Sequence, residues 1–279
     1  MKNQLVRPVI RLTETAMMIA LGTVLSLLSL FNPPYGGSIT PAAMLPMVMI
    51  AYRHKTAWGL GAAAVYACVQ LLFGLDNFGY VPGVAAVICI FLFDYFVAYT
   101  AMGLGGLFRK LKDPALGLAL GSLVACVVRY LCHVVSGCTV WASTPFMTDA
   151  AAISFSFAYN ASYMLPQTVI EVAAAWVIGG ALDLRSPRIG RVARESVSPL
   201  SSVFSLIGKL AAAGGAAYLL VELSVAVMTA LDAVGYDSSA FALSAVILPW
   251  QRMLIVAACC AVAAVAFLAL GKAKNKNKS

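Results

Sequence analysis

Long apolar runs follow one another along almost the whole chain, and they restrict it to folds that a lipid bilayer can hold. Runs of spanning length can be placed at about 13–31, 41–52, 57–75, 82–106, 115–138, 158–182, 203–229 and 243–270. A helix crosses the hydrocarbon core with roughly 17–25 apolar residues, and only helices or closed barrels satisfy their backbone groups there. Since 62% of the residues are hydrophobic and 11% are charged, we predict an all-α polytopic membrane protein. The second run is short and contains Pro41 and Pro46, which favours a break or a tilt.

The charged residues predict how these segments are oriented. Most of the 19 Lys and Arg residues fall in alternate connections, whereas the connections around 32–40, 76–81, 142–152 and 230–242 contain none. Basic connections stay on the cytoplasmic side of a membrane. We therefore expect both termini in the cytoplasm and an even number of spans. The basic residues are scattered over short loops, so the net charge of +8 indicates topology and does not favour nucleic-acid binding. The basic groups are Lys2, Arg7 and Arg11; Arg53 and Lys55; Arg109, Lys110 and Lys112; Arg185, Arg188, Arg191 and Arg194; and Lys272, Lys274, Lys276 and Lys278.

The composition changes once along the chain. Residues 185–202 are basic, contain Pro and Ser, and show no periodicity, so they are typical of a cytoplasmic linker. The linker separates a six-helix unit, 1–184, from a two-helix extension, 203–279, that ends in a basic tail. Glu222 and Arg252 of the extension are costly at membrane depth unless they are paired. We expect all pocket groups to lie upstream of the linker. In the alternative, Glu222 and Arg252 complete a polar network with the first six helices or with another partner, and the extension belongs to the site.

A polar stripe in the fifth apolar segment of the six-helix unit points to a ligand pocket. Arg129, His133, Gly137 and Trp141 recur every four residues, so they share one face of a helix. A cation, an imidazole, a gap and an indole on an inward face suit a flat polar ligand. Asp94 lies near the middle of the preceding span, and a buried ion pair with Arg129 is the structural alternative.

Several other features of this unit have both a structural and a functional interpretation. Asn160 either bonds two helices together or contacts a ligand, and Trp141 either contacts the ligand or anchors the chain at the outer interface. Ala16 and Ala20 form a small-xxx-small pair that allows a helix, internal or external, to approach closely. Nothing in the sequence indicates a catalytic residue, a cofactor or a metal site, because it contains neither an HExxH motif nor CxxC spacing.

These motifs together resemble the thiamine-specific substrate-binding subunit, the S component, of energy-coupling factor transporters. The resemblance covers roughly residues 11–184 and rests on TETAMMIAL, on the Tyr-Gly of the first outer loop at Tyr35, on FLFDYFVAYTAMGLGGLFRK, on RYLCHVVSGCTVW and on FAYNAS. It implies a six-helix bundle in the bacterial cytoplasmic membrane that binds thiamine or a related vitamin. It also implies partners, namely a transmembrane coupling subunit and two ATPase subunits.

The resemblance assigns roles to individual residues of this chain. It makes Asp94, which is followed by Tyr95, the acidic partner of the aminopyrimidine, and Asn160 a second hydrogen-bond partner of that ring. It makes His133 and Trp141 aromatic walls and Gly137 the gap beside the ligand ring. Ala16 and Ala20 then form the face that meets the coupling subunit.

Three positions depart from the family's pattern. The family usually has Glu at position 94, Trp where this chain has Gly37, and Tyr where it has Phe155. A stacking wall and a hydroxyl are therefore missing or replaced, with Tyr35, Tyr80 and Tyr159 as candidate replacements.

Three classes of function are compatible with these observations. The first is a vitamin-binding subunit, which depends on partners for energy because the chain has no GxxxxGK[ST] phosphate loop. The second is a self-sufficient secondary transporter with Asp94, His133 and Glu171 as a proton path. The third is an intramembrane enzyme with Asp94 and His133 as acid and base, although no nucleophile motif accompanies them.

Overall fold

The protein is a bundle of eight main helices, seen in a computed structural model that describes residues 2–33, 36–81, 83–140, 150–187, 189–192, 199–237 and 239–276. Seven of the helices are long and apolar enough to cross a membrane. The prediction of an all-α polytopic membrane protein is therefore confirmed. In chain order the helices are α1 (Lys2–Leu27), α2 (Leu45–His54), α3 (Thr56–Phe73), α4 (Val84–Gly106), α5 (Pro114–Thr139), α6 (Ala150–Ala181), α7 (Pro199–Ala233) and α8 (Trp250–Lys276).

The second predicted span differs most from expectation. Helix α2 has only 10 residues, about 15 Å at 1.5 Å per residue, so it cannot cross the hydrocarbon core alone. The non-helical chain before it is held inside the bundle by α6. The Thr40 N–H donates to Gln167 Oε1 at 2.6 Å, and the Met44 N–H donates to Glu171 Oε1 at 2.9 Å. Both side chains are buried, and they satisfy backbone groups that would otherwise be costly at this depth.

One end of the bundle is built from basic connections. Arg53 forms an ion pair with Glu14 of α1 at 2.6 Å and donates to the carbonyls of Leu184 and Ser186. Arg109 donates to the Tyr52 carbonyl, and Arg185 donates to the Leu111 carbonyl. Three connections that the charge pattern assigned to one membrane side therefore meet. We call this the inner end, and the opposite end the outer end.

Part of the predicted linker forms a small hairpin at the inner end. Strand β1 (Leu182–Asp183) pairs antiparallel with β2 (Gly190–Arg191) in a small hairpin. Residues 193–198 lie outside the described residues, and α7 begins at Pro199, before the predicted end of the linker.

Close contacts between small residues hold α2 to α5 together. A Cβ atom added at Gly103 would overlap the Leu60 backbone of α3, and one added at Gly121 of α5 would overlap the carbonyl of Gly105. A Cβ added at Gly59 would overlap Ala51 of α2. The glycines thus let the helix backbones approach directly, as small residues do in membrane helices.

The extension is an antiparallel helix pair that docks on α6. Glu222 and Arg252 pair with each other inside the extension, since Arg252 Nη2 lies 2.7 Å from Glu222 Oε2. The alternative in which these two residues pair with the first six helices is therefore not what the structure shows. Near the outer end, Leu231 and Phe241 of the extension pack in one apolar cluster with Phe155 and Tyr163 of α6. The extension is thereby in contact with the six-helix unit at the outer end.

Candidate functional site: an aromatic cavity at the outer end

A cavity of about 410 Å³ lies between the helices at the outer end. Its lining comes from the loop before α2, the end of α3 with the connection after it, helices α4, α5 and α6, and one residue after α7. Seven of the residues predicted from the sequence to contact a ligand lie in the cavity wall, namely Asp94, Tyr95, His133, Gly137, Phe155, Tyr159 and Asn160. Trp141, Tyr35 and the side chain of Tyr80 lie outside the described residues.

The carboxylate of Asp94 is held on the cavity wall by helix α5. His133 Nδ1 lies 3.1 Å from Asp94 Oδ1, and Ser136 Oγ donates to Asp94 Oδ2 at 2.8 Å. These partners sit three residues apart on α5, so they meet the carboxylate from one helix face. The predicted alternative of an Asp94–Arg129 ion pair is wrong, because His133 takes that position.

Asp94 and Tyr95 lie on an irregular part of α4. Residues Ile90–Phe96 form a π-helical segment, a rare local widening that is frequent at functional sites. The Tyr95 hydroxyl donates to the Gly74 carbonyl at 3.1 Å and accepts from Asn77 Nδ2 at 2.7 Å. The Tyr95 ring also stacks on Phe78, with centroids 6.0 Å apart. These contacts tie the connection after α3 to the helix that carries the carboxylate.

Arg129 is a buried cation on the same wall. Only 8% of the residue is exposed, and its guanidinium carbon lies 4.9 Å from the centre of the Tyr99 ring. Nη1 also approaches the Met44 sulfur at 3.3 Å. A cation over an aromatic face is attracted by the ring quadrupole. Arg129 therefore contacts both Tyr99 and the residue before α2, and it helps to position them at the cavity wall.

Gly137 and Asn160 join α5 to α6. A Cβ atom at Gly137 would overlap Ser156 Oγ of α6, so the glycine allows the two helices to approach. Asn160 Nδ2 donates to the His133 carbonyl at 3.2 Å, and Asn160 Oδ1 accepts from the Tyr163 hydroxyl at 2.8 Å. The structural role anticipated for Asn160 is thus present, and its amide also lines the cavity.

Two of the three positions that depart from the family's pattern, Gly37 and Phe155, lie against aromatic rings. Gly37 adopts a φ of +88°, and a Cβ atom there would come within 2.7 Å of the Tyr163 ring. The Tyr163 ring therefore occupies the space beside Gly37 in which a larger side chain would begin. Phe155 stacks on Tyr159, with centroids 5.9 Å apart, and meets Phe241 of the extension edge to face.

Sequence analysis missed seven polar or aromatic wall residues of the six-helix unit, namely Ser38, Gln70, Phe73, Asn77, Tyr99, Ser156 and Tyr163. Gln70 and Asn77 lie on either side of the end of α3, and their spacing in the sequence does not predict that both face one cavity. It also missed a residue of the extension, Tyr236, which lines the cavity. The cavity wall therefore includes a residue downstream of the linker, whereas the sequence analysis placed all pocket groups upstream of it. Among the described residues, no cluster of three His, Cys, Asp or Glu side chains that could hold a metal is present.

The predicted partner face lies away from the cavity. Ala16 and Ala20 are exposed on α1, within a row of exposed apolar residues that includes Leu12, Met17 and Val24. Because these side chains are exposed, lipid or a partner helix can reach this face of α1.

Comparison with known proteins identifies the family. Residues 12–183 match the family described as thiamine transporter protein (Thia_YuaJ). The chain is also 30% identical over 177 residues to the thiamine transporter ThiT of Bacillus subtilis (strain 168), a match that covers 59% of this chain and 87% of the relative. Both matches concern transporters, so they support a transport role over an enzymatic one, in a multi-pass protein of the cell membrane. The matched residues lie within the six-helix unit and include the part of the cavity wall that this unit provides. The chain therefore belongs to the thiamine transporter protein family.

Proposed function

We propose that this protein binds thiamine in the outer cavity for uptake into the cell. The observation that carries the proposal is the Asp94 carboxylate, held by His133 and Ser136 on the wall of a cavity lined by aromatic rings. The family match supports the choice of ligand. The substrate-binding unit corresponds to residues 1–184, which contain the matched region, with 185–202 as the connection to the extension 203–279.

The chemistry of the cavity suits both rings of thiamine. The aminopyrimidine has an exocyclic amine that donates hydrogen bonds, and Asp94 is an acceptor on the wall. The thiazolium is a permanent cation, which aromatic faces attract by about 2 kcal/mol or more where water is excluded. Tyr95, Tyr99, Tyr159 and Tyr163 supply such faces. A cavity of about 410 Å³ also lies within the range of roughly 300–1,000 Å³ that is usual for small-ligand sites.

The secondary-transporter alternative is less well supported by the geometry. It requires Asp94, His133 and Glu171 to form one proton path. Glu171 is fully buried and accepts hydrogen bonds from the Met44 N–H and from Gln167 Nε2 at 2.9 Å each. The Glu171 carboxylate therefore holds the chain before α2 in place, and it is not part of the cavity wall.

The proposal is tested with the purified full-length chain in detergent. Mass spectrometry of the small molecules that co-purify with it should detect thiamine, and titration calorimetry after their removal should show saturable thiamine binding. Riboflavin, a flat heteroaromatic vitamin without a thiazolium, is the control ligand and should not compete. A protein that binds neither endogenous nor added thiamine would exclude this function.

We further propose that the chain is an S component, driven by a transmembrane coupling subunit and two ATPase subunits. The absence of a GxxxxGK[ST] motif in the sequence means that ATP hydrolysis by that route requires partners. The exposed Ala16 and Ala20 on α1 offer a surface on which a partner helix can pack closely.

Replacing Ala20 with Trp tests this partner surface. Because the bulky ring would hold a neighbouring helix away, Ala20→Trp should abolish thiamine uptake in cells while the purified variant binds thiamine within about twofold of wild type. Ala16→Trp should behave in the same way. The matched control is Ala261→Trp, which places the same ring on an exposed position of α8 and should leave uptake intact. Normal uptake by both α1 variants would show that the coupling surface lies elsewhere.

A further inference from the structure

The connection between the two helices of the extension reaches the ligand cavity. Tyr236, three residues after the end of α7, is part of the cavity wall. Its ring meets the Tyr159 ring of α6 nearly at right angles, with centroids 6.2 Å apart and an interplanar angle of 80°. Tyr159 is a wall residue of the six-helix unit. A residue from outside the family-matched region therefore completes an aromatic corner of the site.

The backbone that positions Tyr236 is a specific helix cap. The Tyr236 N–H donates to the Leu231 carbonyl at 2.9 Å, and the Gly235 N–H donates to the Asp232 carbonyl at 3.0 Å, the two hydrogen bonds of a Schellman motif. Both residues have a φ of +60°. Glycine adopts this left-handed conformation freely, whereas an aromatic residue does so at a cost.

Strained backbone conformations persist only where the surrounding structure enforces them, and they cluster at binding sites. Here the surroundings are apolar and well packed: Val227, Ala230 and Leu231 of α7 and Phe241 are buried in one cluster with α6. Phe241 also meets Phe155, another wall residue, edge to face with centroids 5.9 Å apart. Since the docking on both sides of the connection fixes its position, the Tyr236 ring is held against the cavity.

We propose that the two-helix extension is part of the substrate site and that Tyr236 is a substrate-contacting aromatic wall. This inference rests on the proposed function, since it takes thiamine as the ligand. Gly37 contributes no side chain to the cavity wall, and the Tyr163 ring fills the space beside it. The extension adds a ring beside Tyr159. A flat cationic ligand gains from each further aromatic face that excludes water from it.

The left-handed backbone allows a substitution that removes the ring without harming the fold. In Tyr236→Gly the residue favoured by a φ of +60° replaces one that is strained there. This variant should unfold at the same temperature as wild type or higher, and its Kd for thiamine should rise about thirtyfold, the loss expected for one desolvated aromatic contact. Tyr236→Phe keeps the ring and should bind within about threefold of wild type. Phe204→Leu changes an aromatic residue of α7 that contacts Phe267 of α8 and should leave the Kd unchanged.

Titration calorimetry of the full-length variants with thiamine separates the possible outcomes. A folded Tyr236→Gly protein that binds like wild type would overturn this inference and leave the proposed function intact. Equal losses in Tyr236→Gly and Phe204→Leu would also overturn it, because the extension would then act only through general stability. A wild-type protein that does not bind thiamine would overturn the proposed function, and this inference with it.

Discussion

The inner and outer ends of the bundle are closed by different kinds of contact. At the inner end, Arg53, Arg109 and Arg185 donate directional hydrogen bonds to carbonyls of neighbouring connections. At the outer end, rings such as Phe155 and Tyr236 pack on Tyr159. Charged hydrogen bonds fix connections in one geometry, whereas aromatic contacts tolerate several and leave a cavity between them. From this comparison we propose that the inner end provides stability and the outer end provides recognition.

The largest expected effect comes from breaking the inner end at Arg53. Its side chain is 9% exposed and pairs with Glu14 through Nε and Nη2, at 2.6 and 2.8 Å. Arg53 also donates to the carbonyls of Leu184 and Ser186, and each hydrogen bond to a charged group contributes about 1.5–3 kcal/mol. Arg53→Ala should therefore lower the midpoint of thermal unfolding in detergent strongly, while the thiamine affinity of the protein that remains folded stays near that of wild type.

Lys110 provides the matched control for Arg53. It is an exposed basic residue at the same end, so Lys110→Ala should change the unfolding midpoint little. Two results would contradict the assignment of stability to the inner end and recognition to the outer end. Arg53→Ala would be as stable as Lys110→Ala, or it would lose thiamine binding while still folded.

The next effect concerns recognition at the outer end. Asp94→Asn replaces a charged acceptor by a neutral amide, and hydrogen bonds to charged groups contribute about 1.5–3 kcal/mol. We expect the thiamine Kd to rise by about tenfold to one hundredfold, with a small change in the unfolding midpoint. Titration calorimetry and thermal unfolding on the same preparation measure both quantities.

Asp76→Asn removes the same charge from an exposed position in an outer connection and should bind thiamine like wild type. The assignment of Asp94 to the ligand would be contradicted by an Asp94→Asn protein with unchanged affinity. Equal losses in both variants would indicate a general attraction between the outer surface and the cation.

The sequence predicts those features that depend on local pattern. Apolar runs predict the helices, and alternating basic connections predict that Arg53, Arg109 and Arg185 belong to one end. The stripe of Arg129, His133 and Gly137 on α5 does line a cavity, because four-residue spacing on a helix depends little on the rest of the fold.

The features that were missed depend on contacts between distant parts of the chain. Thr40 and Gln167 are 127 residues apart, and no local pattern shows that a buried amide will hold a non-helical segment. Likewise, the π-helical segment that carries Asp94 has the same composition as an ordinary span. Tyr236 was missed because no local pattern marks its connection, and only the docking of α7 on α6 brings it to the site.

The smallest expected effect tests whether the extension covers the outer end as the structure shows. Phe155 is 7% exposed, between the rings of Tyr159 and Phe241. A hydroxyl added in Phe155→Tyr would be buried against the extension, and a buried hydroxyl without a partner costs about 1–3 kcal/mol. We therefore expect a lower unfolding midpoint. Phe73→Tyr adds the same hydroxyl to a cavity-lining ring that is 58% exposed and should not lower it. If Phe155→Tyr left the midpoint unchanged and tightened thiamine binding, its hydroxyl would be reaching the ligand. The extension would then leave that side of the outer end open.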